Sequence, residues 1–466
     1  MKSLDEICIR RRFLVLSALR WFPGGLVLPV LVLLMLARGL DIVMIGTLFA
    51  AFSGVVALFE LPTGGLADVV GRRPVFLWSA TLGVAALVML ASARNAWQFA
   101  VALSVFALGR ALSSGPLHAW YVDSVQATNP KADLQPAVTQ EGLVTSVSIG
   151  LGVLVGGVLP GTVARVYPHL PRDGGSVLLT LTVPIWLAAA LLAVATVAIA
   201  ALMTEPPHPP NTAGRTAAFR RVLADVPRTV STSLRFARRD RAVVMVLSSV
   251  FASGLALAAT EVLAPTYFAA TTGNEGQAAA VYSVLLTAVF FASGFGSAVA
   301  PLLARLCRGP MRGAAVAAAI GAAAYAGLGT SHSLITAAGA YIVVYVALGV
   351  VDPLRLEQLH YRTNAAERSS MLSVESMAQM LGGLAGSVGI SRLAQAYGFQ
   401  AGWLACGLVV LVAGALALLV SDRRPAGPSA SSPTDGLTTP VDDVDKSKTS
   451  RSEWPEVPRG RDRATK

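Results

Sequence analysis

The chain has 466 residues, 54% of them hydrophobic and only 14% charged, with a mean hydropathy of +0.62 and a formal net charge of +11. A soluble domain carries about 25% charged residues, so this composition excludes an ordinary soluble fold and points to a polytopic α-helical membrane protein. The basic residues lie in short loops and tails, which argues against a nucleic-acid partner and for charge bias across a bilayer.

Apolar runs long enough to cross about 30 Å of hydrocarbon predict helices over 13–36, 41–66, 74–93, 97–121, 138–161 and 177–203. A second set follows over 241–265, 278–304, 311–330, 333–357, 368–392 and 398–420. The first run is too long for the apolar core of a signal peptide and has no small-residue cleavage site. This order divides the chain into a six-helix bundle (1–203), a connection (204–240), a second six-helix bundle (241–420) and a tail (421–466). Prolines in "TEPPHPPNTAGR" end the sixth helix. Beyond them Phe219, Val222, Leu223, Val226, Val230 and Leu234 recur at helical spacing among arginines. That pattern suits either a helix on an anionic membrane surface or a solvated linker. The tail is polar and proline-rich, too poor in apolar residues to bury a core.

Orientation follows from Lys and Arg. Alternate loops on one side hold only Arg38, Arg94, Arg165, Arg172 and Arg392, and the other side holds most of the rest. Both termini are therefore expected in the cytoplasm, with the chain a multi-pass protein of the cell's inner membrane. Cys8, Cys307 and Cys406 are isolated and read as small apolar fillers, with no metal site implied. Neither HExxH, GxSxG nor a P-loop occurs, so an enzyme is not expected.

Between the second and third helices stands "GGLADVVGRRP" (64–74). Gly64, Gly65 and Gly71 permit backbone geometry and close approach that a Cβ would block. Asp68 at the end of a helix needs a cation or a helix N-terminus, Arg72 and Arg73 supply cations, and Pro74 suits a helix start. The order Gly-x-Leu-Ala-Asp-x-x-Gly-Arg-Arg resembles the signature loop of the major facilitator superfamily of secondary transporters, over about residues 13–420. Val69 departs from it, since many members carry a basic residue there. The resemblance implies two pseudo-symmetric six-helix bundles working by alternating access. It also implies a conformational gate in which Asp68 and Arg72 meet an acid at the inner end of helix 4, here Asp123. In the second half "GFGSAVAPLLARLCRGP" keeps the glycines and basic residues but no acid.

Ionisable groups inside spans are costly and thus candidates for function. Arg110, in "GRALSSG", resembles the family's helix-4 arginine, which is linked to proton coupling or substrate contact. Glu60 and Arg20 lie at comparable depth and are expected to pair, with Glu60 titrating. His118 and Glu261 complete the candidates for proton or substrate binding, while Glu141, Asp352 and Glu375 read as interfacial. Gly152, Gly156 and Gly157 in helix 5 suit close helix packing, matched by "LGGLAGSVG" in helix 11. Val153 stands where the family's antiporter signature has a proline. Few charges line the spans, and Trp21, Trp120, Tyr341 and Tyr345 are at hand. The expected function is proton-coupled efflux of a small lipophilic or weakly charged solute by a monomer, with only substrate, protons and lipid as partners. Proton-coupled uptake and a non-transporting membrane sensor are the alternatives.

Overall fold

A computed structural model describes residues 6–113, 115–129, 132, 134–167, 174–204, 240–272, 275–362 and 368–420, without the side chains of 61–65, 68, 69 and a few helix-end positions. The connection between Thr204 and Asp240, for which a surface helix or a solvated linker is expected, and the tail lie outside the described residues. Among those described there are fourteen helices and no strand. In order they are α1 (Glu6–Val27), α2 (Leu31–Ala37), α3 (Ile42–Val70), α4 (Arg72–Ser92), α5 (Ala96–Ser113), α6 (Pro116–Thr128) and α7 (Gln135–Val166). Then come α8 (Gly174–Leu202), α9 (Arg241–Thr272), α10 (Glu275–Leu306), α11 (Pro310–Thr330), α12 (Leu334–Arg362), α13 (Arg368–Tyr397) and α14 (Phe399–Leu418).

These realise the twelve predicted spans, with two interruptions. The first span breaks between α1 and α2 at Pro29, which has no N–H to donate to the preceding turn. The fourth breaks between α5 and α6, where Gly115 takes φ +100° and Pro116 opens the next helix. Eleven spans among the described residues are long and apolar enough to cross a membrane, and α13 is the exception. It carries Ser376, Gln379, Ser387 and Ser391, and it packs against α3, α9 and α14, so neighbouring helices rather than lipid meet much of its surface.

Each half is fastened internally in the same way. A Cβ at Gly152 or Gly156 of α7 would fall on the α1 backbone at Phe22 and Leu26. One at Gly382 or Gly386 of α13 would fall on the α9 backbone at Phe251 and Leu255. The first and fifth spans of both bundles thus approach backbone to backbone, the pseudo-symmetry that the two glycine runs suggest.

The halves meet through α3 with α13 and α7 with α10. Most of the described links lie toward the face opposite the start of α1. Gly46 packs on the carbonyl of Ser387 and the side chain of Ser391, and Gly157 packs on Ser283 and Ala279. Asp41 accepts from Gln395 at 3.5 Å. Val262, Ala278 and Ala279 of the second half are buried in one apolar cluster with Leu26, Val30 and Leu34 of the first. The cluster nearer the other face, around Ile9, Phe13, Phe76 and Trp120, contains first-half residues alone. The far face is therefore the closed one, and the described link nearest the N-terminal face is Glu60–Ser376.

Candidate functional site

At the α3–α4 turn, Gly71 has φ +108°, a conformation that side chains disfavour, and it both ends α3 and precedes α4. The reversal brings Arg72 to α6, where its Nε lies 3.4 Å from Asp123 Oδ2. Arg73 donates to the carbonyl of Ala200 at 2.5 Å, tying the turn to the end of α8. Gly64 and Asp68 belong to α3, but the Asp68 side chain is outside the described residues. Both partners of the Arg72–Asp123 pair belong to the first half, so here it fastens that half rather than bridging to the second. The pair is 21% and 43% exposed at its side chains, and exposed pairs contribute about 1 kcal/mol or less. Asp123→Asn, which removes this pair, should accordingly shift stability by no more than about 1 kcal/mol, as a melting curve of the detergent-solubilised protein will read.

The break in the fourth span builds the centre. A helix ending inside the membrane leaves carbonyls that need donors. Arg20 of α1 supplies them: Nη1 donates to Ser113 O at 3.2 Å and Nη2 to Ser113 Oγ at 2.5 Å. Its guanidinium also lies over the rings of Trp21 and Phe76, at 4.9 and 5.5 Å. Arg110, in the last turn of α5, lies over the same Trp21 ring at 5.8 Å. The pairing of Arg20 with Glu60 expected from their depths is not formed. Glu60 instead accepts from Ser376 of α13, with Oε1 and Oε2 both at 2.8 Å from the hydroxyl, and Arg110 lies in its field. Depth along an axis gives height but not direction, and Glu60 points across the seam.

Arg110 is exposed although about 21 Å along its helix from Ala96. It lies in the field of Glu60, which is bonded across the seam. Glu261 on α9 is exposed as well, next to Val262, which is buried against the first half. Tyr282 and Tyr345 share its field. Tyr341 and Trp120, by contrast, are core residues: Tyr341 packs on Phe268 and Tyr345, and Trp120 donates to Thr204 O at 2.8 Å.

One group that reads as interfacial in the sequence, Glu141, proves to be buried. Glu141 is 8% exposed. Its Oε1 accepts from Ser17 at 3.1 Å and Thr145 at 2.9 Å, and its Oε2 lies 3.3 Å from His118 Nε2. Thr145 one turn beyond Glu141, and Ser17 three residues before Arg20 on α1, are the signals that mark this cluster. In the second half Arg355, 4% exposed, bonds Ser249, Ser253 and Asp352, and Glu375 lies in its field. Arg362 pairs with Asp240 at 3.1 Å.

Two helical halves, a seam and charged groups at mid-depth define a membrane transporter. The sequence profile of the Major Facilitator Superfamily matches residues 13–362, and the chain belongs to that family. Its fold is that of the nucleoside transporter NupG, with a TM-score of 0.68 at 13% identity over 88% of this chain and 98% of that one. The peptide transporter POT in complex with sulfate gives 0.66 at 16% identity over 88% and 94%. A POT family transporter in complex with a thioalcohol conjugated peptide gives 0.61 at 12% identity over 88% and 95%. No curated protein matches the sequence.

Proposed function

We propose that the protein is a monomeric secondary transporter of the inner membrane that exports a small, lipophilic or weakly charged solute by alternating access, driven by protons. Both termini lie in the cytoplasm, so the far-face-closed arrangement is the one open toward the cytoplasm. Arg110 carries this reading. A guanidinium exposed at mid-depth is kept only where it meets water or solute, and Trp21 beside it offers an aromatic face. Glu261 adds one acid on the other half, so the space between holds few charges. A phosphorylated solute, which calls for several arginines, fits poorly.

The test uses purified protein in liposomes with an imposed pH gradient and a panel of fluorescent lipophilic cations and labelled weak acids. Outward movement coupled to proton entry is expected for some of the panel. Arg110→Ala should reduce it at least about tenfold, equivalent to 1.4 kcal/mol, with the melting temperature unchanged. Solute moving inward with protons would assign uptake instead, and gradient-driven flux unaffected by Arg110→Ala would remove Arg110 from the site.

A further inference from the structure

We propose that Glu141, reached from water through His118, is the proton-binding site of the cycle, and that it acts on the seam through Arg20, Arg110 and Glu60. This rests on the proton-coupled reading above and names the group that carries the proton.

Glu141 is buried, yet its direct partners are two hydroxyls and an imidazole rather than a guanidinium or ammonium group. Here both hydroxyls donate to the ionised carboxylate, and each can turn to accept once the carboxyl carries a proton. Imidazole can take a proton on one ring nitrogen and release one from the other. The His118 side chain is 50% exposed, and its Nε2 faces the carboxylate. A proton from water binds Nδ1, the Nε2 proton passes to Oε2 of Glu141, and the imidazole is left neutral as its other tautomer. Phe13, edge-on to the ring at 5.4 Å, limits the other orientations.

The coupling runs along charges that already neighbour one another. Arg20, anchored on Ser113, lies in the field of both Glu141 and Arg110. Arg110 lies in the field of Glu60, and Glu60 is bonded to Ser376 of the other half. With Glu141 ionised, Arg20 is balanced from its own side. Once Glu141 is neutralised, Arg20 and Arg110 draw more strongly on Glu60, which loosens its hold on Ser376. Other charged groups near Glu141 are few. From α1, Arg10 is engaged with Gln140. The helix α8 carries no titratable side chain. From α10, Tyr282 and Arg305 are not among the groups that act on Glu141.

Because the solute is unidentified, the test reads conformation rather than flux. Spin labels at Gln126→Cys and Arg312→Cys, in a background lacking Cys8, Cys307 and Cys406, report the opening between halves on the N-terminal face in lipid nanodiscs. Distances are measured at a series of pH values from about 5.5 to about 8.5. The background protein should change its distance distribution with pH, and Glu141→Gln should abolish that change. Ser17→Ala, which keeps the carboxylate but removes a donor to its charged form, should move the midpoint to higher pH, and His118→Asn should also displace it. A pH response that persists unaltered in Glu141→Gln overturns the proposal and leaves proton coupling standing. Should Glu141→Gln fail to fold, unmoved midpoints in the other two variants overturn it instead. No pH response in the background protein overturns the proton-coupled reading itself.

Discussion

Replacing Arg355 with alanine should destabilise the protein by about 3 kcal/mol, most of it from lost contacts inside the second half and a cavity left behind. The guanidinium is 4% exposed and donates to Ser249 O at 2.9 Å and Ser253 Oγ at 2.7 Å, joining α12 to α9. Its acid partner Asp352 is 63% exposed at the side chain. Asp352→Asn should therefore cost about 1 kcal/mol or less, although it removes the more conspicuous interaction. Arg355→Lys should restore only part of the loss, because Nη1 serves the two serines while Nη2 meets Asp352, and a single ammonium nitrogen cannot occupy both places. Unfolding curves in mixed micelles separate the three variants. Equal losses in Asp352→Asn and Arg355→Ala would mean that the ion pair, not the serine contacts, fastens the two helices. The first half uses the same device with roles exchanged: there the guanidinium comes from the first span, at Arg20, and the serine from the fourth, at Ser113.

How far the sequence discloses this arrangement depends on the physics behind each feature. Span positions are legible because burying a helix in hydrocarbon demands about twenty apolar residues in a row. The breaks at Pro29 and at Gly115–Pro116 are less so, since an apolar run reads the same whether or not its helix is continuous. Arg20, Glu60, Arg110 and Glu261 stand out as ions among apolar neighbours. Their partners do not, because pairing is set by rotation about the helix axis and by which helices adjoin. Glu141 lies near a helix end and so reads as interfacial. It is buried because α1 and α6 extend far enough to cover it, which only packing discloses.

The same substitution, glycine to valine, should give opposite kinds of failure at Gly156 and at Gly46. At Gly156 the added Cβ meets the backbone of Leu26 in the same half. Backbone cannot rotate aside, so α1 and α7 must part, at a cost of about 3 kcal/mol or more. Gly156→Val should yield little folded, monodisperse protein. At Gly46 the added Cβ meets Ser387 O and the Ser391 side chain across the seam, and neither half is disturbed internally. The strain is relieved by parting the far face. Parting also hydrates the Ser387 and Ser391 hydroxyls, which are buried at 0% and lack a hydrogen-bond partner among the described residues. Each buried unsatisfied hydroxyl costs about 1–3 kcal/mol, so the closed far face is already marginal. An added clash of about 3 kcal/mol shifts the ratio of states by more than about a hundredfold. Gly46→Val should therefore fold and melt normally. A cysteine at Ala278, buried at the seam, should then react much faster with an impermeant maleimide added on the far side. Gly46→Val that aggregates like Gly156→Val, with no change in labelling, would mean that the two halves are one rigid core and cannot part at this seam.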